Sequence, residues 1–429
     1  MIPEGWRETA LGAVSSRVRR PLTAEPDRVM MITSRGGFVD QSEKYSKEMA
    51  GKSLAKYIEL RLGEFAYNRG NSTAYPCGCI YRLKSVDAAA VPFVYFCFSV
   101  DESEAAPDFL EQYFAAGTLN EQLGALINSG VRNNGLLNIP ADAFFSVNVL
   151  LPPLGEQRKI AAILTAVDEA IEATQAVIEQ LQVVKKAMMA ELLTRGIPGR
   201  HTRFKMTEIG EIPESWEVVQ LGDVASADPY SCVGGPFGSD LSSKHYVSSG
   251  VPVIRGSNLG ASERWMSELE FVFVTESKAT ELSRNLAFPG DIVFTQRGTM
   301  GQVARIDPGS QYPRFLLSQS QMKFTADSRR LEPDFVACFF RSNIGQAMIT
   351  KETIGTGVPH INLGILRQFR LALPPMPEQK EIVDAVGRLE KREWAEQSVL
   401  SGLAELKSSL AVAMLSGELR VFDSEVSPP

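Results

Sequence analysis

A seven-residue motif that occurs twice constrains this chain more than any other feature. It reads Leu-Pro-Pro-x-x-Glu-Gln, and it begins at Leu151 and again at Leu373, 222 positions later (373 − 151). Prolines and an early glutamate favour the first turn of a helix, where amide groups lack intrahelical partners and the dipole is positive. The motif therefore predicts that a helix starts at two equivalent points of the chain.

A heptad pattern follows each copy of the motif, because apolar residues recur at alternating spacings of four and three. The apolar seam positions are Ile160, Leu164, Val167, Ile171, Ile178, Leu181, Met188 and Leu192 in the first copy, and Ile382, Val386, Leu389, Leu400, Leu403, Leu410 and Met414 in the second. Polar residues interrupt the seams at Thr174, Lys185, Glu393, Glu396 and Lys407. We expect the two helices to pair antiparallel, with each lysine near the start of the opposite helix.

The repeat includes the segments before the helices. Pro3-Glu4-Gly5-Trp6 recurs as Pro213-Glu214-Ser215-Trp216, 210 positions later (213 − 3). The chain is therefore predicted to be one unit, a globular part followed by a long helix, repeated. The predicted boundaries are 1–150 for the first globular part, 151–205 for the first helix and a hinge at 196–205, 206–372 for the second globular part, and 373–429 for the second helix and tail.

Both globular parts have the pattern of mixed α/β (α+β) domains rich in strands. Short runs of β-branched and aromatic residues lie between clusters of Gly, Asn and Ser, which is typical of strands joined by turns. The predicted strands are 29–32, 65–67 and 91–96 in the first part, and 251–254, 271–274 and 291–294 in the second. Segments 107–126 and 333–348 are predicted to be helical.

Composition limits the class of protein. The chain has 429 residues, too many for one core, and its 44% hydrophobic and 22% charged residues are typical of a soluble globular protein. We find no apolar run as long as a membrane span and no signal-peptide pattern, so we expect a cytoplasmic protein without a membrane partner. The five cysteines are scattered and the net charge is −7. Any DNA affinity must therefore come from local basic loops or from a partner.

The sequence lacks the motifs of the catalytic classes that we considered. It has no Asn/Asp-Pro-Pro-Tyr/Phe motif, which would hold a flipped adenine for methyl transfer, and no Walker A loop. Asp108 and Glu111 have a spacing suggestive of a nuclease, but Tyr113 stands where a lysine would be expected. The sequence therefore predicts a protein that is not an enzyme, with no catalytic or metal-ligating residue.

Through four motifs, the chain resembles the specificity subunit of a type I restriction–modification system. They are the two Leu-Pro-Pro-x-x-Glu-Gln segments, Trp-x-x-x-x-Leu-Gly near the start of each unit, Gly235-Pro236-Phe237-Gly238-Ser239, and Gly290-Asp291-Ile292-Val293. The resemblance implies two target recognition domains, each reading one half of a split DNA site. It also implies that the helices form an antiparallel coiled coil whose length sets the gap between the halves.

The resemblance further implies the partners. These are double-stranded DNA, two modification subunits that are adenine methyltransferases docked on the helices, and ATP-dependent restriction/translocase subunits. S-adenosylmethionine, ATP and Mg are expected on those partners, and no cofactor on this chain. The alternative is a coiled-coil adaptor of another phage-defence assembly, with domains that bind protein rather than DNA.

Polar and basic residues on turns beside strands are the candidate DNA contacts. They are Arg35, Lys44, Tyr45, Lys47, Asn68, Arg69 and Ser72 in the first part, and Lys244, His245, Tyr246, Arg255, Asn258, Gln296, Arg297 and Thr299 in the second. Arginine and glutamine can read base edges, whereas lysine and serine mostly hold phosphate. The alternative for each is a surface or a local structural role. Because the first part lacks the Gly-Pro-Phe-Gly-Ser loop, we expect two unlike half-sites.

Overall fold

The structure, a computed structural model, divides the chain into two compact units through the middle of both long helices. It describes residues 2–23, 26–33, 36–44, 54, 56–70, 75–127, 136–260, 265–355 and 357–421, with only the backbone of residues 43 and 44. Unit 1 comprises residues 1–175 and 398–429, and unit 2 comprises residues 176–397. Each unit therefore contains one globular domain and one half of each long helix.

The described part of unit 1 is built from short strands and small helices. The strands are β1 (Arg7–Ala10), β2 (Ser15–Val18), β3 (Met30–Thr33), β4 (Gly37–Asp40), β5 (Ile58–Arg61), β6 (Phe65–Asn68), β7 (Cys79–Arg82), β8 (Ala88–Val91), β9 (Phe96–Val100) and β10 (Asn148–Leu151). The helices are α1 (Gln41–Lys44), α2 (Pro107–Ala115), α3 (Asn120–Leu126), α4 (Ala141–Phe145) and the first half of α5 (Leu154–Arg195).

An aromatic core holds the main sheet of unit 1 against its helices. The antiparallel sheet has the order β2-β9-β6-β7, and three further strand pairs are β1–β10, β3–β4 and β5–β8. Phe65 stacks on Phe98 with ring centroids 5.3 Å apart, and Tyr67 stacks on Phe144 at 4.5 Å. These rings are fully buried, so alternate residues of β6 point into one core.

Unit 2 follows a related plan with a second sheet. Its strands are β11 (Phe204–Thr207), β12 (Gly210–Pro213), β13 (Glu217–Gln220), β14 (Cys232–Gly234), β15 (Val251–Ile254), β16 (Val272–Val274), β17 (Leu286–Ala287), β18 (Ile292–Thr295), β19 (Val303–Arg305), β20 (Phe315–Leu317), β21 (Gln321–Phe324) and β22 (Arg370–Leu373). Its helices are α6 (Glu276–Glu281), α7 (Pro333–Arg341), α8 (Asn343–Glu352), α9 (Leu363–Gln368) and the first half of α10 (Met376–Leu415).

Two four-stranded sheets form the domain of unit 2. One is antiparallel with the order β14-β21-β18-β19, and the other has the order β16-β15-β20-β17, in which β15 and β20 are parallel. β13 pairs with β22 directly before α10, just as β1 pairs with β10 directly before α5. In each unit, the strand that precedes the long helix therefore pairs with the strand that directly follows the tryptophan of the repeat, Trp6 or Trp216.

In each unit, the start of one long helix packs beside the end of the other. Ile160 and Leu164 share the core of unit 1 with Met414, and Leu192 shares the core of unit 2 with Ile382. The other positions of the sequence-derived seams are buried or half-buried, and between residues 391 and 409 they are the only positions of α10 that are not exposed. The heptad pattern therefore identified the packed face of both helices.

The polar residues of the seams pair with each other. In unit 1, Lys407 lies 2.5 Å from Asp168, and in unit 2 Lys185 forms an ion pair with Glu393, which also accepts a hydrogen bond from Gln182 at 3.0 Å. Glu393 lies 17 residues after the start of α10 (393 − 376). The expectation that each lysine lies near the start of the opposite helix was therefore wrong, since both meet acids near the middle.

Three predicted elements are interrupted, each by a local backbone feature. The segment 107–126 forms two helices because Gly117 adopts a φ of +71° after α2. The segment 333–348 is divided at Ser342, whose extended backbone and side chain cap the start of α8. The segment 91–96 contains a turn at Pro92, with Tyr95 N donating to Pro92 O at 3.0 Å.

One helix passes a length and composition test for a membrane span. α10 contains an 18-residue window with a mean hydropathy of 1.3. The same helix places Met414 and Leu415 in the core of unit 1, and Lys407 in its second half is paired with Asp168. These contacts give the apolar residues of α10 a role in domain packing.

Candidate nucleic-acid interface

The glutamine of the repeated motif fastens each helix start to its domain. Gln157 Oε1 accepts a hydrogen bond from Ala106 N at 2.7 Å, and its Nε2 donates to Pro152 O at 2.8 Å. Gln379 accepts from Glu332 N and donates to Pro374 O, both at 2.8 Å. Both glutamines are buried; Gln157 satisfies two backbone groups, and Gln379, which also donates to Arg330 O at 3.0 Å, satisfies three.

The glutamate of the motif accepts a hydrogen bond from the tryptophan that recurs in each unit. Trp6 Nε1 donates to Glu156 Oε2, and Trp216 Nε1 donates to Glu378 Oε2, each at 3.1 Å. Both tryptophans and both carboxylates are buried. The two motifs that recur in the sequence are therefore bonding partners within each unit.

A nitrogen-containing side chain completes each of these sites, and the residue type differs between the units. Arg420 donates to both oxygens of Glu156, from Nε at 2.8 Å and from Nη2 at 3.0 Å. Burial opposes ionisation of Glu156, but the hydrogen bonds from Arg420, Val421 N and Trp6 outweigh it and lower the pKa of this carboxyl. In unit 2 the equivalent partner is His201, whose Nε2 lies 2.8 Å from Glu378 Oε1.

The segment 196–205, predicted as a hinge, is tied to the rest of unit 2. Ile197 N donates to Glu378 Oε1 at 3.2 Å, and Arg200 pairs with Glu381 at 2.7 Å. Gly196 ends α5 with a φ of +77°, and a Cβ there would lie 2.6 Å from Glu378 Oε1. In the structure this segment closes the helix junction, and its role as a hinge stays a prediction.

Asn68 and Arg69 of unit 1 are engaged by the fold. Asn68 donates to Ile32 O at 3.3 Å and accepts from Gly70 N at 2.9 Å. Arg69 donates to Val94 O from Nε at 3.2 Å and from Nη2 at 3.1 Å, and its guanidinium lies 4.5 Å from the centre of the Phe96 ring. Burial lowers the pKa of Arg69. The structure therefore gives both residues a structural role in unit 1, in place of the predicted free contact surface.

The other predicted contacts of unit 1 lie outside what the structure describes. Arg35, Tyr45, Lys47 and Ser72 are outside the described residues, and Lys44 ends α1 without a described side chain. Their assignment to DNA contact remains a prediction.

Of the predicted contacts of unit 2, Asn258 is buried and Arg255 is bonded to the backbone of the fold. Asn258 is fully buried, its Nδ2 donates to Ser267 O at 3.3 Å and to Leu269 O at 3.0 Å, and its Oδ1 accepts from Arg255 N at 3.0 Å. Arg255 Nη2 donates to Glu270 O at 2.7 Å. The prediction for Asn258 was wrong, since it folds the turn after β15 and has no surface to offer.

The loop at residues 243–246 combines one exposed cation with two anchored rings. His245 Nδ1 accepts from Ser242 N at 3.1 Å and so caps the turn. Tyr246 is half-buried against the core formed by β15, β16 and α6. Lys244 is exposed, which leaves it accessible to a phosphate.

Gln296, Arg297 and Thr299 gather at one end of the antiparallel sheet of unit 2. β14 and β18 end there and β21 begins there, as shown by the pairs Gly234–Met322 and Thr295–Gln321. Gln296 N and Arg297 N both donate to Ser320 O, at 2.7 and 3.3 Å. Arg297 and Thr299 are exposed, and so is Gln319, which sequence reasoning missed. We call Arg297, Thr299 and Gln319 the sheet-end surface.

The side-chain amide of Gln296, beside this surface, has unused hydrogen-bonding capacity. Gln296 is half-buried, and its Oε1 has no hydrogen-bond partner within the described part of the chain. A glutamine amide can pair with two groups on an adenine edge. His360 joins the same loop: its backbone bridges to Arg297 and Ile354, and its Nδ1 lies 3.2 Å from Val358 O.

The acidic pair that suggested a nuclease forms surface ion pairs. Asp108 pairs with Arg82, and Glu111 lies 2.7 Å from Lys84 Nζ. Among the residues that the structure describes, no group of three His, Cys, Asp or Glu side chains could hold a metal ion.

The family profile of the type I restriction modification DNA specificity domain matches residues 97–183 and 213–397. The MjaVIII specificity subunit of Methanocaldococcus jannaschii is 26% identical over 299 residues, covering 69% of this chain and 68% of that protein. The putative MjaX specificity subunit of the same organism is 27% identical over 430 residues, covering 98% and 95%.

Solved structures share the fold. A type I restriction–modification system S subunit from M. genitalium has a TM-score of 0.56 at 14% identity, covering 96% of each chain. A chain from a structural study of type I R-M complex assembly has a TM-score of 0.54 at 17% identity, covering 98% of this chain and all of that one. With the family profile matched over most of its length, this chain belongs to the family of type I restriction–modification specificity subunits.

Proposed function

We propose that this chain is the sequence-specific DNA-binding subunit of a type I restriction–modification complex, in which each unit reads one half of an asymmetric bipartite site. The observation that carries the proposal is that both units use the same Trp–Glu–Gln junction between domain and helix. A chain built twice on one plan presents two separate domains to one linear ligand. Duplex DNA with two half-sites is such a ligand.

The unlike surfaces of the two domains support unlike half-sites. Unit 2 places Arg297, Thr299 and Gln319 at an exposed sheet end. At the corresponding polar turn of unit 1, Asn68 and Arg69 are bonded internally. Different exposed groups favour different base sequences, because specificity comes from contacts with base edges.

We infer that the long helices pair as an antiparallel coiled coil and set the gap between half-sites. Within each unit a half of α5 lies beside the opposite half of α10, through Asp168–Lys407 in unit 1 and Lys185–Glu393 in unit 2. Helices of 42 and 40 residues span about 60 Å at 1.5 Å per residue. A rigid element of this length can seat two domains on separate groove segments.

The same helices are proposed to dock two modification subunits. Seam residues such as Leu164 and Leu403 are buried or half-buried, so a partner must use the other faces. Exposed apolar side chains lie on those faces: Val183, Val184 and Trp394 in unit 2, and Val399, Leu406 and Val412 in unit 1. Apolar side chains with an exposed aromatic residue among them are typical of interface anchors.

Catalysis is assigned to the partners. The modification subunits would supply S-adenosylmethionine chemistry, and the restriction/translocase subunits would use ATP and Mg in the cytoplasm. The chain's own contribution is to bind DNA and to position the methyltransferases.

Co-expression with a type I modification subunit from the same genome tests the proposal. We expect a stable complex that methylates adenine in a bipartite sequence when S-adenosylmethionine is present, while either protein alone leaves the DNA unmethylated. Methylation by the purified chain alone would contradict the proposal. A chain that co-purifies only with unrelated proteins and does not bind DNA would favour the adaptor alternative.

A further inference from the structure

Phe237 is an exposed aromatic residue in a motif to which no role has yet been assigned. Its side chain is 76% exposed, the largest value for any aromatic residue among those that the structure describes. Isolated exposed apolar residues are common, so exposure alone carries nothing. The way in which the loop is built is what distinguishes this residue.

The Gly-Pro pair before Phe237 is locked into the end of the sheet. Gly235 N donates to Gln321 O at 2.8 Å, and a Cβ at Gly235 would lie 1.8 Å from Ser318 O. Gly235 and Pro236 are buried, and Asn285 Nδ2 donates to Gly234 O at 2.7 Å. Only glycine fits this close approach of two backbones. The loop is therefore anchored immediately before the exposed ring.

The residues after Phe237 form a tight turn. Gly238 adopts a φ of +56°, and Asp240 N donates to Phe237 O at 3.2 Å. Leu241 is buried and ends the exposed stretch. Because both sides of the loop are fixed, Phe237 has limited freedom to fold back on the surface.

The loop adjoins the sheet-end surface. A Cβ at Gly234 would lie 2.6 Å from Gln296 Oε1, so the strand that leads into the loop touches the residue beside Arg297. The segment 318–321 contacts the loop through Ser318 and Gln321, and contacts Arg297 through Ser320. One segment therefore links the exposed ring to the exposed arginine, threonine and glutamine.

We propose that Phe237 is an apolar DNA-contact residue of unit 2, which places its ring against bases of the half-site read by this unit. The inference rests on the proposed function. A phenylalanine can contact a thymine methyl group or wedge partly into a base step, while neighbouring arginine and glutamine make polar contacts. The ring adds affinity without neutralising a phosphate. Its removal should therefore leave the salt dependence of binding unchanged, unlike removal of a phosphate-binding lysine.

The test compares Phe237→Ala and Phe237→Leu with wild type in the full complex with modification subunits. DNA duplexes carry the methylated sequence found for the wild-type complex, or that sequence with either half scrambled. Met206→Ala is the matched control, because Met206 is 78% exposed in the same unit but lies on β11. We expect Phe237→Ala to weaken binding about 5- to 100-fold, as alanine substitution of base-contacting aromatics does, with Phe237→Leu in between and the control unchanged.

Salt dependence and half-site dependence decide the outcome. The slope of log K against log salt should match wild type, because no phosphate contact is lost, and the loss should disappear when the half-site of unit 2 is scrambled. Wild-type affinity of a folded Phe237→Ala complex would overturn the inference, as would a shallower salt slope or an equal loss at both halves. Failure of the wild-type complex to bind any bipartite DNA would instead overturn the proposed function.

Discussion

Replacing Gln157 with methionine should destabilise unit 1 strongly, although the residue is far in sequence from any predicted DNA contact. Gln157 is 1% exposed and bonds Ala106 N and Pro152 O, both within 2.8 Å. Methionine has a similar length and fills the same space. The two backbone groups would then be buried without partners, at about 1–3 kcal/mol each, so we expect a loss of about 2–6 kcal/mol.

Amide hydrogen exchange read by mass spectrometry measures this loss within unit 1. A change of 1.4 kcal/mol is tenfold in an equilibrium constant, so protection of unit 1 peptides should fall by about 30-fold or more. Gln379→Met should do the same to peptides of unit 2, since Gln379 makes equivalent bonds. Gln180→Met on the exposed face of α5 is the control. Unchanged protection at β1 and β10 in Gln157→Met would refute the reasoning.

Three further predictions follow from the sites. Arg69→Ala should lower the melting temperature of unit 1 by on the order of 5 °C in a calorimetric scan, because Val94 O loses its donor; an unchanged melting temperature with weaker DNA binding would return Arg69 to the DNA surface. Arg297→Ala should weaken one half-site by about 1–3 kcal/mol in binding titrations if it reads a base, and uniform weakening with a salt slope reduced by about one would assign it to phosphate. The lowered pKa of Glu156 means that its stabilisation is present above the unfolded pKa of about 4.5 and is lost as pH falls through the folded value. Arg420→Gln should raise the pKa of Glu156, so the hydrogen-exchange protection of unit 1 should be lost at a higher pH on acidification. An unchanged pH for this loss would show that Arg420 does not stabilise the carboxylate.

The packed face of the long helices could be predicted from sequence because it depends on local periodicity. Ile160, Leu164, Ile382 and Val386 recur with the helical period, and all four are buried. The partners of the polar seam residues could not be predicted in the same way. Glu393 interrupts the apolar pattern, and its partner Lys185 lies 208 positions earlier, where a local pattern cannot detect it.

The DNA-contact candidates show the same limit. Residue type and a turn position suggested Arg69 and Asn258, but their hydrogen-bond partners come from β-strands and loops elsewhere in each domain. Sequence identifies a donor but not which carbonyl will stand beside it after folding. Gln319 was missed because its exposure depends on where β18 and β21 end together.

Repeated motifs were informative for a different reason. Trp6 and Trp216 recur together with the Glu-Gln pairs because, within each unit, the tryptophan donates a hydrogen bond to the glutamate. The same junction between domain and helix is therefore present in both units. The side chain that meets each glutamate did not recur as a type: unit 1 uses Arg420 and unit 2 uses His201. Sequence comparison of the two copies alone could not have paired these residues.

Insertion of one heptad at each unit boundary tests the central claim most directly. Seven residues after Gln175 and seven after Gln397 would lengthen both helices by about 10 Å and preserve the seam pattern within each unit. Adenine methylation, mapped in DNA from cells that co-express the variant with the modification subunit, reports both half-sites and their gap. The account predicts unchanged half-sites separated by about three more base pairs at about 3.4 Å each. An active complex with an unchanged gap, or with altered half-sites, would contradict it.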